Sequence, residues 1–232
     1  MSRDWLVLRL EAPIMAFGGV LVDQIGPTRD FPAASMVTGL LGNALGWHWT
    51  ERARHDALQE RLVLAAAVLR EGRVLTDVQN AELSKADKGW TTRGAPEGRD
   101  GGSYSGPHRR WRDYIADGAV LAVITFRHPE VAPTLDEVAN ALERPARPLF
   151  IGRKPCLPSR PILDGWVSAD TAHTALREAL GKGTGEGAGT WRALWPEGEG
   201  PDGDRLEDLA DLRDWRGGLH AGARRVVHGR IG

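Results

Sequence analysis

The order of elements along this 232-residue chain predicts an α+β fold. Apolar and amphipathic runs follow one another as strand, helix, strand, strand, insertion, strand, helix, strand. Allowing one added hairpin, this order matches the split β-α-β of ferredoxin-like folds. In the RRM-type version, one face of the sheet, or its loops, contacts single strands. Three observations carry the prediction. Apolar, β-prone runs at 5–10, 62–69 and 119–127 have the length of buried strands. Runs beginning near Ser35 and at Thr134 have one apolar face at helical spacing. A hydrophilic stretch of 34 residues, Gln79–Arg112, interrupts the pattern as a long thumb insertion.

Trp5-Leu-Val-Leu-Arg-Leu10 is short, apolar apart from its arginine, and β-prone, and reads as a buried first strand. Glu11 to Pro32 holds three prolines and three glycines and reads as a long loop. Thr28 and Arg29 in that loop can reach a phosphate. Ser35 stands where it can cap the next helix, extending to about Trp49, and is itself a candidate contact. Gly39, Gly42 and Gly46 fall within that helix. Glycine costs about 1 kcal/mol against alanine there, so a close approach to a sheet or ligand is expected. Arg54 to Arg61 reads as a short exposed helix. Leu62–Leu69 and Arg73–Val78 read as strands joined at Glu71-Gly72, the second feeding a projecting hairpin or loop. Ala119–Arg127 is a core strand. Thr134 and Glu137 make a capping box for the second helix, and Leu149–Ile151 is a short strand candidate.

Residues 1–161 thus form a ferredoxin-like domain with its thumb at 79–112. Residues 162–232 form a small β-containing extension packed on it. In the extension, Thr171–Leu180 is a helix, Gly181–Gly189 a flexible linker, and Arg224–His228 a last strand offering Arg224 and Arg225 as phosphate contacts.

Composition bounds the function. Forty-one per cent apolar residues supports a real core. No apolar run is long enough for a membrane span, and the strand-like start argues against a signal peptide. Cys156 is the only cysteine, which fits a reducing cytoplasm. Histidine and cysteine spacing gives no metal site and nothing implies a cofactor. A net charge of −1 means that affinity for a polyanion must come from local patches.

Two such patches exist. Gln79–Arg112 carries seven basic and four acidic residues, with Trp90, Tyr104 and Trp111 among them. It cannot bury a core of its own. Interleaved cations and flat rings suit single-stranded nucleic acid. Lys85, Lys88, Trp90, Arg93, Tyr104, His108, Arg109, Arg110 and Arg112 are its candidate contacts. Arg144–Leu163 carries five cations, five prolines and no acid. It is held extended, and offers Arg147, Arg153 and Lys154 to an anion.

Phe150-Ile-Gly-Arg-Lys-Pro-Cys-Leu-Pro-Ser-Arg-Pro161 resembles a signature of the CasD family, within the RAMP superfamily. That family supplies the type I-E CRISPR Cascade subunit that holds the five-prime handle of the guide RNA. Leu6 to Pro13 with Ala16-Phe-Gly18, Phe31-Pro32 before Gly39–Gly46, and Trp111-Arg-Asp-Tyr114 with Asp117 resemble further family motifs, in family order. Ala33 and Ala34 depart from the basic or hydroxyl residues common after Phe-Pro, so no RNA contact is carried onto them.

The resemblance implies a non-catalytic, cytoplasmic subunit that binds the handle and caps the backbone filament. It would contribute to antiviral defence by RNA-guided DNA targeting, meeting target DNA only indirectly. Its partners would be guide RNA, the backbone subunit and the large subunit, with no membrane. The rival is a metal-independent endoribonuclease that processes precursor CRISPR RNA. That chemistry needs a proton acceptor and donor at the scissile phosphate, and His108 with Tyr104, or His48, are its candidates. A third reading is a generic RNA-binding module.

Overall fold

The computed structural model describes residues 2–81, 89–90, 96–97, 108–182 and 189–232, with backbone alone at 81, 89–90, 96–97 and 108. In chain order the main elements are β1 (Arg3–Glu11), α1 (Ala34–Ala44), α2 (Arg52–Arg61), β2 (Leu62–Arg70) and β3 (Arg73–Ala81). There follow β4 (His108–Ala116), β5 (Ala119–Phe126), α3 (Leu135–Glu143), β6 (Leu163–Ala169) and α4 (Ala172–Gly181). The chain closes with β7 (Trp191–Pro196), β8 (Arg205–Leu209) and β9 (Arg224–Ile231).

Seven strands form one sheet in the order β6-β1-β5-β2-β7-β9-β8. Every neighbouring pair in it is antiparallel. The central strands β2 and β5 read as apolar runs because both of their faces are buried, whereas the edge strands β6 and β8 are partly exposed. Side chains alternate between faces with a period of two. Leu6, Leu8 and Leu10 of β1 pack toward α1 and α3, with Leu64, Ala66, Ala122 and Ile124 beside them. Trp5 and Val7 point the other way, where α4 presents Ala172, Ala175, Leu176 and Ala179. Helices cover both faces, so the open sheet face of RRM-type recognition is not offered. Loops and projections remain as surfaces for a single strand.

The projection is a second sheet. β3 and β4 pair antiparallel from Arg73↔Ala116 to Ala81↔His108. On its other edge, β4 pairs with Ile14–Met15 and, in parallel, with Ile25–Gly26. Residues 73–80 are all exposed, so β3 stands off the body. The expected hairpin is therefore present, and its ladder begins at Arg73, before the predicted thumb.

Several local expectations hold. The capping box at Thr134 and Glu137 forms, and Thr171 caps α4 by accepting from the Thr174 N–H at 3.2 Å. Others are corrected. Leu149–Ile151 is not a strand: Gly152 turns the chain at φ +88°, and the Ile151 N–H donates to Cys156 O at 2.8 Å. The strand that completes this edge of the sheet is β6, outside the predicted position. α2 is not simply exposed, since His55, Leu58 and Arg61 are buried.

α1 differs at both ends. It starts at Ala34 with Ala33 as N-cap, so Ser35 lies inside the first turn and does not cap. Its end is Ala44, because Gly46 takes φ +80° and Arg147 fastens the carbonyls of Gly46 (2.8 Å) and Trp47 (2.6 Å). Gly42 is required by a neighbouring helix and not by the sheet: a Cβ there would meet His55 Nε2 of α2 at 2.7 Å.

The cap that Ser35 fails to supply comes from far along the chain. The Asp211 carboxylate accepts from the Ala34 N–H (3.0 Å), and the Asp211 carbonyl accepts from the Ser35 N–H (3.1 Å). Arg224 donates to both carboxylate oxygens, from Nε at 3.1 and 3.0 Å and from Nη2 at 2.9 Å. Its Nη1 reaches Leu64 O at 3.3 Å. The Asp211 side chain is fully buried. An anion at a helix N-terminus is favoured by the aligned peptide dipoles. Removing one member of a buried pair leaves the other charge stranded, at about 3–5 kcal/mol. Asp211→Ala is therefore expected to lower the unfolding free energy by about that amount in a urea titration; a loss below about 1 kcal/mol would show the pair to be dispensable.

Candidate nucleic-acid interface

The loop joining β1 to α1 is long, yet it is fastened at intervals. Ala16 N–H donates to Ile151 O (3.1 Å), Phe17 N–H to Thr28 Oγ1 (3.0 Å) and Ala33 N–H to Phe17 O (3.1 Å). Arg29 Nη2 donates to Ala210 O at 2.7 Å. Asp30 accepts from Arg192 at 3.1 Å, whose other nitrogens hold Glu71 at 2.7 and 2.8 Å. These anchors shape the loop as one wall of a cavity at the base of the β3–β4 arm.

The cavity holds about 460 Å³, within the usual range of about 300–1,000 Å³ for small-ligand sites. Its other walls are the start of α1, the turn at Phe150–Arg153, and the hairpin in which Arg213–Asp214 pairs with Leu219–His220. That wall needs glycine at 152: a Cβ there would sit 1.6 Å from Ala16 O. Three guanidiniums line the space, Arg112, Arg153 and Arg213, together with the rings of Phe150, Trp215 and His220; no lining residue is acidic.

The guanidiniums are positioned by neutral groups. Arg153 donates to Asp113 O and Gly26 O, both at 2.9 Å, and lies 4.9 Å over the Tyr114 ring. Arg112 Nη1 reaches Gln24 O (3.3 Å) and Trp111 O (3.2 Å). Arg213 lies 5.3 Å over Trp215. Carbonyls and rings orient these cations without cancelling them, so their field is directed into the cavity. Such a space suits a phosphate with an adjoining flat base.

The predicted contacts distribute unevenly around it. Ser35, Arg112 and Arg153 line the cavity. Thr28 and Arg29 are loop fasteners. Arg109 is exposed on β4, while Arg110 reaches toward Asp23 O at 3.5 Å. Arg147 is engaged by the end of α1, and Lys154 is exposed. Arg224 is enclosed by Asp211, and Arg225 pairs with Glu197 (3.6 Å) and Asp208 (3.4 Å). Lys85, Lys88, Arg93 and Tyr104 lie outside the described residues, as do the side chains of Trp90 and His108. His48 is apart from the cavity and bonded to Thr50 Oγ1 at 2.8 Å.

Arg213, Trp215, His220 and the cap Asp211 escaped the sequence reading. A signal for part of this was present. Leu212-Arg-Asp-Trp-Arg216 has the same alternation of cation and ring as Trp111-Arg-Asp-Tyr114, but it sits within an acidic tail.

No cluster of His, Cys, Asp or Glu among the described residues would hold a metal ion. No helix among them is long and apolar enough to cross a membrane.

A family model described as "CRISPR-associated protein (Cas_Cas5)" matches residues 5–227. The chain is 28% identical over 174 residues to the CRISPR system Cascade subunit CasD of Escherichia coli (strain K12), covering 75% of this chain and 76% of that one. It shares its fold with a chain from a solved CRISPR RNA-guided surveillance complex at a TM-score of 0.69 and 18% identity, covering 98% and 90% of the two chains. It likewise resembles the structure titled "Crystal structure of Cas protein", at a TM-score of 0.62 and 22% identity, covering 98% and 94%.

The cavity's field acts on His220. Partial burial, then Arg213 and Arg29, hold its pKa below the ordinary value of 6.5. Protonation is thus opposed by the fold. The stability linked to His220 is complete above the ordinary value and lost as pH falls through the lowered one. NMR titration of the imidazole should give a midpoint below 6.5, and Arg213→Gln should move it upward.

Proposed function

Because the chain belongs to the Cas5 family of CRISPR-associated proteins, we propose that it is a non-catalytic subunit of a Cascade-type, RNA-guided complex. In this reading it grips the five-prime handle of the guide RNA at the base of its arm and caps the backbone filament. One observation carries the reading: three arginines face one cavity with no carboxylate among its lining residues. Guanidiniums bind phosphate bidentately and do not act as proton acceptors near neutral pH. Of the lining side chains only the His220 imidazole accepts a proton near neutral pH, and no second acid–base group stands beside it in the lining, so the cavity suits holding a strand better than cutting one, which needs an acceptor and a donor.

The fold supports the same reading. Strands β1, β2, β5 and β6 with α1 and α3 follow the connectivity β-α-β-β-α-β, and lie in the order β6-β1-β5-β2. This is a ferredoxin-like core with the arm inserted between its second and third strands as a thumb. Residues 1–161 supply all but the last strand, and 162–232 add that strand and the packed extension. Exposed Arg109, opposite Asn80 near the outer end of the described ladder, carries positive charge out along the arm. The E. coli relative is a Cascade subunit by name, which supports membership of a multi-subunit assembly; in this reading the partners are guide RNA, a backbone subunit and a large subunit, in the cytoplasm. Target DNA would be met only through them.

Two measurements test this. Replacing Arg109 and Arg110 together with glutamine should weaken binding of repeat-derived RNA. If each meets a phosphate, the salt slope should flatten by about 1.4, at about 0.7 per phosphate on a single strand. An unchanged slope would remove the arm from the contact surface. Incubation of the purified chain with precursor repeat RNA in EDTA should leave the RNA intact; specific cuts lost in His108→Ala would establish the endoribonuclease reading instead.

A further inference from the structure

A second surface continues from the cavity around its Trp215 wall. Trp215 stacks on His55 with centroids 4.5 Å apart, and His55 meets Trp47 edge-on at 5.4 Å. Just beyond lies Trp49, 67% exposed. Arg52 lies 5.6 Å over the Trp49 ring, and its Nη1 donates to Arg216 O at 2.9 Å. Trp49 and Arg52 are thus joined through Arg216 to the Trp215 wall of the cavity.

These rings differ in what they do. Trp215 fixes the hairpin, donating from Nε1 to Gln59 Oε1 at 3.3 Å. Trp49 is tilted against the His48 ring, centroids 5.6 Å apart, and presents most of its indole to solvent. An exposed indole carried beside guanidiniums has the chemistry that holds unpaired bases and their phosphates. Charge favours the same occupant: Arg52 is held by a carbonyl, the neighbouring acids Glu51 and Asp56 are paired with Arg54 (2.7 Å) and Arg216 (3.7 Å), and the lining of the adjoining cavity is cationic.

We propose that the surface from Arg213 and Trp215 to Arg52 and Trp49 is a second binding segment for single-stranded RNA. Bases leaving the cavity stack on Trp49, and Arg52 takes a phosphate. The inference rests on the cavity being the first RNA site, and extends it to the segment that joins α1 to α2 and the first turn of α2.

The test uses the full chain and a nested series of repeat-derived RNAs, shortened from one end, between about 4 and 16 nucleotides. For the wild type, affinity should step up when the RNA becomes long enough to leave the cavity. Trp49→Ala should abolish that step, weakening the long RNAs by about 5- to 150-fold and leaving the shortest unchanged. Trp49→Phe should retain most of it. Quenching of tryptophan fluorescence by the long RNA, reduced in Trp49→Ala, gives a second readout that a purely structural role would not move. Equal affinities of wild type and Trp49→Ala at every length would overturn the proposal, as would the same loss at every length. Wild type that binds the shortest RNA but gains nothing with length sinks this inference alone; wild type that binds none of the series sinks the cavity reading beneath it.

Discussion

The buried contact of Asp211 with Arg224 and the first turn of α1 is the constraint on which the site's geometry depends. It joins three distant parts of the chain: the start of α1, strand β9 and the segment leading into the hairpin that carries Arg213 and Trp215. A charge this deeply enclosed tolerates no slack. If the hairpin shifted, the carboxylate would lose its partners without gaining water. Two of the cavity's walls are therefore set by one interaction, and the floor formed by α1 is held at its amino end by the same carboxylate.

This arrangement also explains what was legible in the sequence and what was not. Strands β1, β2 and β5 were readable because each is a compact, mostly apolar run buried on both faces, with Arg9 and Thr125 as isolated polar residues that do not break the pattern. The capping box at Thr134 was readable because both of its members lie within four residues. Ser35 misled for the opposite reason. Local chemistry favoured it as a cap, and Asp211, whose carboxylate caps the Ala34 N–H instead, is 177 positions from Ala34. Strand β6 was missed because its alternation is diluted by Asp164 and Gly165 and broken by a register shift against β1. The cavity was half visible: Arg112 and Arg153 stood in basic stretches, whereas Arg213 stood among acids.

The cavity illustrates how arginine can be fixed without being neutralised. Carboxylate partners would hold Arg112 and Arg153 as firmly but would weaken their pull on an anion. Carbonyl oxygens of Gln24, Gly26 and Asp113 hold them by hydrogen bonding alone. Binding then needs little reordering of the long side chains, a cost that would otherwise reduce affinity. The acids next to these arginines are engaged by other groups: Asp113 accepts from Thr76 Oγ1 at 2.7 Å, Asp214 from the Arg216 N–H at 2.8 Å, and Asp211 from Arg224.

Strand β3 has a consequence for how the molecule behaves when alone. Its inner edge is occupied by β4, while no described strand pairs with its outer edge, and Val74, Leu75 and Val78 are 69, 48 and 50% exposed. Such a border is a template for β-pairing between copies. Thr76, Asp77, Gln79 and Asn80 interrupt the apolar run and temper the tendency without removing it. An isolated preparation at high concentration is thus inclined to self-associate along this border, and its colloidal behaviour should improve once a neighbour or ligand occupies the arm.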